Sequence, residues 1–387
     1  MKLLKTFYLI LIIAVCVTLS PIAMAQEEAA YVAPEISYAS GKILEITDEK
    51  LNVELSASLQ SDQITQYTKV QILNGKYKDK IVDIENNITS NPVYDIRLKP
   101  NQRVLMNIEE TSGNAMFYIT DIERYPILMV VLGIFLALLV LIGGKKGIKS
   151  IISLFTITIL VFFILVPAIL NNYPPIITAV AVAFVATLLT LFTVGGLNKK
   201  SLAASLGTII SVFIAGLISL IVIHFAPLTG FHDQESAMLW VARPDLNFPE
   251  ILAASVIIGA LGAVMDVGMS IASSLYEIKS INNDLKPVDL IKSGMNVGRD
   301  VMGTMADTLI LAYIGGSFSL ALIAANAPFI KLISLNSIAT EITAALTGSI
   351  GIVLCIPITA VISAYLLGNR TDEPKIDIPG CNQKGMP

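Results

Sequence analysis

Three cysteines, two histidines and one tryptophan in 387 residues leave little material for several kinds of chemistry. Cys16 and Cys355 lie in apolar runs and Cys381 in a polar tail, so neither a disulfide framework nor a thiolate metal site can be assembled from them. His224 falls at an expected membrane edge, and His232 with Asp233 and Glu235 supplies one imidazole without ligand spacing. Charge is sparse as well. Asp, Glu, Lys and Arg make up 14% of the chain, the formal net charge is −4, and no basic patch exists to bind nucleic acid. GGKKGIKS lacks the order of a phosphate loop, and GMNVGRD lacks the strand and spacing of a dinucleotide fingerprint. With no H-E-x-x-H, no G-x-S-x-G and no distinctive Ser–Lys spacing, the chain reads as a non-enzyme without a cofactor.

What is abundant is apolar sequence in long blocks. Hydrophobic residues form 54% of the chain and the mean hydropathy is +0.73, values that point to a polytopic membrane protein. The first 25 residues have the parts of a secretory signal: Lys2 and Lys5, an apolar core from Phe7 to Leu19, and the small residues Ala23 and Ala25 before an expected cleavage. An uncleaved anchor helix is the rival reading, disfavoured by Pro21 and the short core.

Residues 26–124 are polar and alternate with period two in KILEITDEKLNVEL, KVQILNGKYKDKIVDIE, QRVLMNIEE and AMFYITDIER. Asn74-Gly75 is a hairpin signal, and about five short strands predict a small extracytoplasmic β-domain, a closed or nearly closed OB-like or SH3-like barrel. Such a domain is more often a docking or gating module than a catalyst.

Residues 125–368 are expected to form a transmembrane helical bundle, and 369–387 a cytoplasmic tail. Seven spanning segments are predicted, at roughly 126–143, 150–170, 174–194, 202–225, 249–272, 300–325 and 341–367, each about 20 residues or longer. With the β-domain outside, the inner connections and tail hold Lys145, Lys146, Lys149, Lys199, Lys200, Lys279, Lys286, Lys292, Arg299, Arg370, Lys375 and Lys384. The outer connections hold only Arg243 and Lys331. That asymmetry fits a bacterial cytoplasmic membrane protein in this register, with Tyr125, Tyr173 and Trp240 at the outer interface.

Asp266 stands inside the apolar run IIGALGAVMDVGMSIASSLYEIK, and Asp307 inside GRDVMGTMADTLILAYIGG. An ionisable group in a spanning helix costs about 2.5–3.5 kcal/mol on insertion scales, so it faces a bundle interior or a water cavity and marks a candidate site. Gly262, Asp266, Ser270, Ser273 and Glu277 share one helical face; Asn296, Asp300, Thr304 and Asp307 share another. If the two stripes meet, the carboxylates would share a proton or hold a cation. The plainer alternative is that Asp266 hydrogen-bonds across a helix interface and only holds the bundle together. Glu277, Arg299 and Asp300 read as interfacial and solvated, and Glu341 as a residue near the outer end of its segment that snorkels or contacts water.

The blocks GALGAVMDVGMSIASSLYEIK, KSGMNVGRDVMGTMADTLILAYIGG and ATEITAALTGSIGIVLCIPITA resemble the YibE/F-like bacterial multispanning membrane proteins. VQILNGKYKDK and LFTVGGLNKKSLAASLGT are similar to that family too, so the resemblance covers roughly residues 65–365. It implies a β-rich N-terminal region ahead of several membrane helices, and it carries no defined activity. The family pattern has Asn where Asp307 stands, whereas Asp266 matches its MDV motif. The reading that follows is a permease-like protein moving a small solute or ion, coupled to H⁺ or Na⁺. Asp266 would be its central site, with Asp307, Ser270, Thr304, Asn296 and Asp300 around it. Two alternatives stand beside it: a scaffold or sensor whose outer β-domain binds a protein partner, and an enzyme acting on lipid-linked material.

Overall fold

The computed structural model describes residues 35–51, 64–88, 95–111, 114–231, 233–324 and 328–368. The expected signal segment, the tail and His232 lie outside these. The described residues fall into two compact units, one ending at Leu138 and the other beginning at Leu139.

The described residues of the first unit form five antiparallel strands: β1 (Glu35–Leu51), β2 (Ile64–Ile72), β3 (Ile81–Ile88), β4 (Arg103–Thr111) and β5 (Asn114–Ile122), in the order β3-β2-β1-β4-β5. β1 is 17 residues long and serves both halves of the sheet. Its first half pairs with β4 as far as Lys42, and from Gly41 onward it pairs with β2. A Cβ on Gly41 would lie 2.5 Å from Met106 Sδ and 2.6 Å from Val70 Cγ1, so the crossing of the two halves requires glycine. Register shifts at Ile43/Glu45 and Ile46/Asp48 bend β1 further. The inward positions Ile43, Val70, Ile72, Val104 and Met106 are fully buried, as the period-two alternation predicts. The result is a half-barrel, with the outer strands β3 and β5 near one another without pairing.

The expected hairpin joins β2 and β3, but through residues 73–80 rather than a two-residue turn. Gly75 and Asp79 supply the positive φ values, 81° and 65°. Asn74 is used differently from a tight-turn residue: its Oδ1 accepts from Ser40 N at 2.7 Å, tying the loop to β1.

α1 (Tyr125–Leu160) leads through a π-helical turn, Val161–Leu165, into α2 (Val166–Leu170). Then come α3 (Pro175–Gly195), α4 (Lys199–Phe225), α5 (Gln234–Ala242), α6 (Phe248–Ile281), α7 (Pro287–Gly316), α8 (Phe318–Ala324), α9 (Phe329–Ile333) and α10 (Asn336–Gly368). Proline opens α3, α6 and α7, where its missing N–H costs nothing. Asn198 Oδ1 caps α4 through Ser201 N at 2.8 Å, and Asp233 caps α5 through Ser236 N at 2.7 Å.

Among the described residues, five helical stretches are long and apolar enough to cross a membrane: Tyr125–Leu170, Pro175–Gly195, Lys199–Phe225, Phe248–Ile281 and Asn336–Leu367. Two of the seven expected segments fall inside the first of these, a 46-residue stretch broken at Gly144 (φ 52°, ψ −130°). The segment expected at 300–325 falls on the end of α7 and on α8, where Arg299, Asp300 and Asp307 interrupt the apolar run.

In the second unit α6 packs against α3, α4, α7 and α10. Val256, Ile257, Ala260, Val264, Val267, Ile271, Ala272 and Leu275 are wholly buried there. At one end of the unit Asp245 accepts from Arg243 and from Asn172 at 2.8 Å, while Arg243 also reaches Leu170 O. The single tryptophan, Trp240, is on α5 and meets Phe231 edge-on. At the other end Lys279 Nζ donates to Asn283 O and Leu285 O, closing the turn from α6 to α7.

Candidate functional site: the polar faces of α6 and α7

Because α6 is buried on nearly every side, the one side left open stands out. Ser255, Gly259, Gly262, Asp266, Ser270 and Glu277 are exposed, Ser273 half so, and all recur at intervals of three or four. α7 buries Leu290, Gly294, Gly298 and Leu309, and exposes Asn296, Arg299, Asp300, Gly303, Thr304, Asp307 and Thr308.

Three contacts fix how the two antiparallel helices are aligned. Gly294 meets Leu275, Leu309 and Ala260 meet at Gly348, and the Tyr313 hydroxyl lies against Gly259, 2.7 Å from where a Cβ would stand. Interpolating between them puts Asp266 level with Gly303 and Thr304. Asp307 is about one turn, roughly 5 Å, farther along. The two carboxylates are therefore about one turn apart along the helix pair, and they do not face one another. Gly259 and Asp266 lie on one line of α6, and that line meets α7 along the Tyr313 side. Asp307, six residues before Tyr313, is turned about 120° away from that side. The two stripes run side by side along one open face.

Among the described residues, Asp266, Asp300 and Asp307 have neither a hydrogen bond nor an ion pair. Their neighbours are occupied: Thr304 donates to Val301 O, Thr308 to Thr304 O, and Arg299 to Asn296 Oδ1 at 3.4 Å. Gly262 and Gly303 each have open space where a side chain would be. The arrangement offers unsatisfied carboxylate oxygens beside bare backbone, which suits a cation, water or the polar part of a solute.

A second polar region was not anticipated. Ser201, Ser205, Thr208 and Ser211 of α4 are fully buried and share one face, set against Cys355, Thr359 and Ser363 of α10. Cys355 Sγ lies 3.4 Å from Thr359 Oγ1 and 3.5 Å from Val264 O. Ser205 and Ser211 donate back to Ser201 O and Gly207 O, while the buried hydroxyls of Ser201 and Ser363 have no hydrogen-bond partner among the described residues; the small side chains let the backbones approach. The spacing 201, 205, 208, 211 was visible in the sequence and would have found it. Glu341 was read as a solvated end residue; it lines a cavity with Tyr313.

In the first unit, Lys80 lies over both Tyr77 and Phe117, at 5.4 and 5.2 Å from the ring centroids, and Lys76 pairs with Glu110 at 2.7 Å. No metal-holding group of His, Cys, Asp and Glu occurs among the described residues. Asp233 is engaged as the cap of α5.

No curated protein sequence and no solved structure matches the chain. Two family models do: residues 37–122 match the YibE/F family N-terminal domain, which covers the half-barrel, and residues 131–369 match YibE/F-like protein, which takes in α6 and α7 with their polar faces. The chain belongs to the YibE/F-like family.

Proposed function

We propose that the protein is a permease-like component of a bacterial cytoplasmic membrane, moving a small solute or ion along the open polar face of α6 and α7. H⁺ or Na⁺ would couple to Asp266. One observation carries this reading: Asp266 is exposed and unpartnered in the middle of an apolar helix whose other sides are packed. A residue that only held helices together would be buried and hydrogen-bonded. In hydrocarbon an unpaired carboxylate is costly, so an open face carrying one calls for water or a bound cation. The lysine and arginine distribution supports seven crossings, with the β-domain outside and the tail inside. The stretch Tyr125–Leu170 would then cross twice, turning at Gly144.

The scaffold reading keeps one favourable observation. If β3 and β5 approach as the missing neighbours, the strands form the ring 1-2-3-5-4, which supports the OB-like alternative, and barrels of that kind commonly bind partners through their loops.

The deciding experiment is Asp266→Asn in liposomes screened with labelled ions and small solutes. The amide keeps shape and hydrogen bonding but can neither take a proton nor neutralise a cation. Uptake should fall at least about tenfold with abundance unchanged, and Asp307→Asn should be milder because it does not share the α6 line. Undiminished uptake in Asp266→Asn rules out the ion-coupled mechanism.

A further inference from the structure

The last turns of α7 do not close onto α10. Between them and α8 lies a cavity of about 350 Å³, within the size range of small-molecule sites. Its walls are apolar, among them Ile310, Ile314, Leu320, Ile342 and Leu346; the polar side chains are Tyr313, Ser317 and Glu341. Neither the Glu341 carboxylate nor the Tyr313 hydroxyl has a hydrogen bond or ion pair among the described residues. The walls disfavour a hydrated inorganic ion, which would lose its water shell without enough oxygens to replace it. An acyl chain would find a carboxylate that it cannot satisfy. An anion would be repelled by Glu341 and find no cationic lining.

We propose that this cavity binds a small organic cation with an apolar body, its ammonium group on Glu341 and its body against the aliphatic walls. Tyr313 adds either its ring face or its hydroxyl to the same group. The inference is independent of the groove reading: Gly259, where Tyr313 touches α6, is seven residues and about 10 Å from Asp266.

The test uses the full-length chain in nanodiscs and three probes of one shape class: phenethylamine, 2-phenylethanol and 3-phenylpropionate. Binding is read by saturation-transfer NMR against empty nanodiscs. The amine should bind about tenfold more tightly than the alcohol, the increment expected of one partly buried charge pair, and the carboxylate should not bind. Glu341→Gln should bring amine and alcohol to the same affinity. Glu341→Asp should keep the preference, which guards against a folding defect in the first variant. Ala321→Trp, at an exposed wall position, should remove binding of all three, and Asp266→Asn should change none. The proposal is overturned if the amine binds no better than the alcohol, if the preference survives Glu341→Gln, or if a retained phospholipid that the amine cannot displace fills the site.

Discussion

Two glycines five residues apart on α7 give a sharp test of which side of that helix is packed. At Gly298 a methyl group would run into three atoms of the Ile356 side chain, Cγ2 first, then Cβ at 3.1 Å and Cγ1 at 3.2 Å, and Ile356 is itself buried. At Gly303 the same methyl would meet nothing within 4 Å. Replacing either by alanine gains the same helix propensity, about 0.8–1 kcal/mol, so that contribution cancels when the two variants are compared. What remains is overpacking at Gly298, about 1–3 kcal/mol, because α7 must move off α10 to admit the methyl. For a unit of this size each kcal/mol shifts the midpoint by about 2–4 °C, so Gly298→Ala should melt about 2–12 °C below Gly303→Ala. The Cys355 thiol is buried and becomes reactive on unfolding, so a thiol-reactive dye reports the transition once Cys16 and Cys381 are replaced by serine. If Gly303→Ala melts lower, the packed and open sides of α7 have been exchanged, and the reading of Asp266 as lying on an open face loses its frame.

Three further outcomes are expected. A cysteine at Leu197 should be shielded from an impermeant thiol reagent in intact cells and one at Glu235 should react; the reverse pattern would invert the proposed topology. Leu197 is exposed and lies outside the Asn198 cap, so that variant should not disturb α4. Residues 26–124 expressed alone should give a sheet-type circular dichroism spectrum, and Met106→Ala should cost about 2–5 kcal/mol in its urea unfolding, because Met106 is fully buried against Gly41. A helical or disordered spectrum would refute the barrel reading. Hydrogen bonds from Arg243 and then Asn172 hold the Asp245 carboxyl below its ordinary range. A depressed pKa stabilises the fold above the unfolded value and the contribution disappears as pH falls past it. The melting difference between wild type and Asp245→Ala should therefore be steady near neutrality and shrink below about pH 4; a difference that grows on acidification would contradict the assignment.

Apolar block length and period-two alternation carried much of the fold into view from sequence, because both are one-dimensional records of which side chains avoid water. Five strands and five apolar helical stretches occur in the regions those patterns marked, but β1 begins at Glu35, ahead of the alternation that starts at Lys42, and the segment expected at 300–325 is not among the five stretches. Strand order was not legible, since nothing local records that β1 crosses at Gly41 to pair with both β2 and β4. The hairpin was misjudged in length because Asn74 is held by Ser40, a residue 34 positions earlier. Asp266 was found because a carboxylate in an apolar run is conspicuous. Its relation to Asp307 was not found, because spacing along α6 and α7 fixes each stripe but leaves their relative rotation free. That rotation depends on which small residues let α10 approach α7, and it became visible only from Gly294, Gly298 and Gly348 against their neighbours. Glu341 was read as an outer-end residue, and its cavity was missed for a similar reason: a cavity belongs to the space between helices and has no signature on any one of them.

The placement of Trp240 makes the chain spectroscopically simple. It is the only indole in the sequence, and it belongs to the helical unit, so tryptophan emission is silent about the half-barrel, whose Tyr38, Tyr67, Tyr77 and Tyr118 respond only to shorter-wavelength excitation. A denaturation curve read at the red edge of excitation would follow the α5 region alone, while a tyrosine-weighted curve would add the half-barrel to Tyr173, Tyr276, Tyr313 and Tyr365 of the helical unit. Brominated lipids would likewise quench one residue at one place, giving α5 a depth in the bilayer that a protein with several tryptophans could not yield.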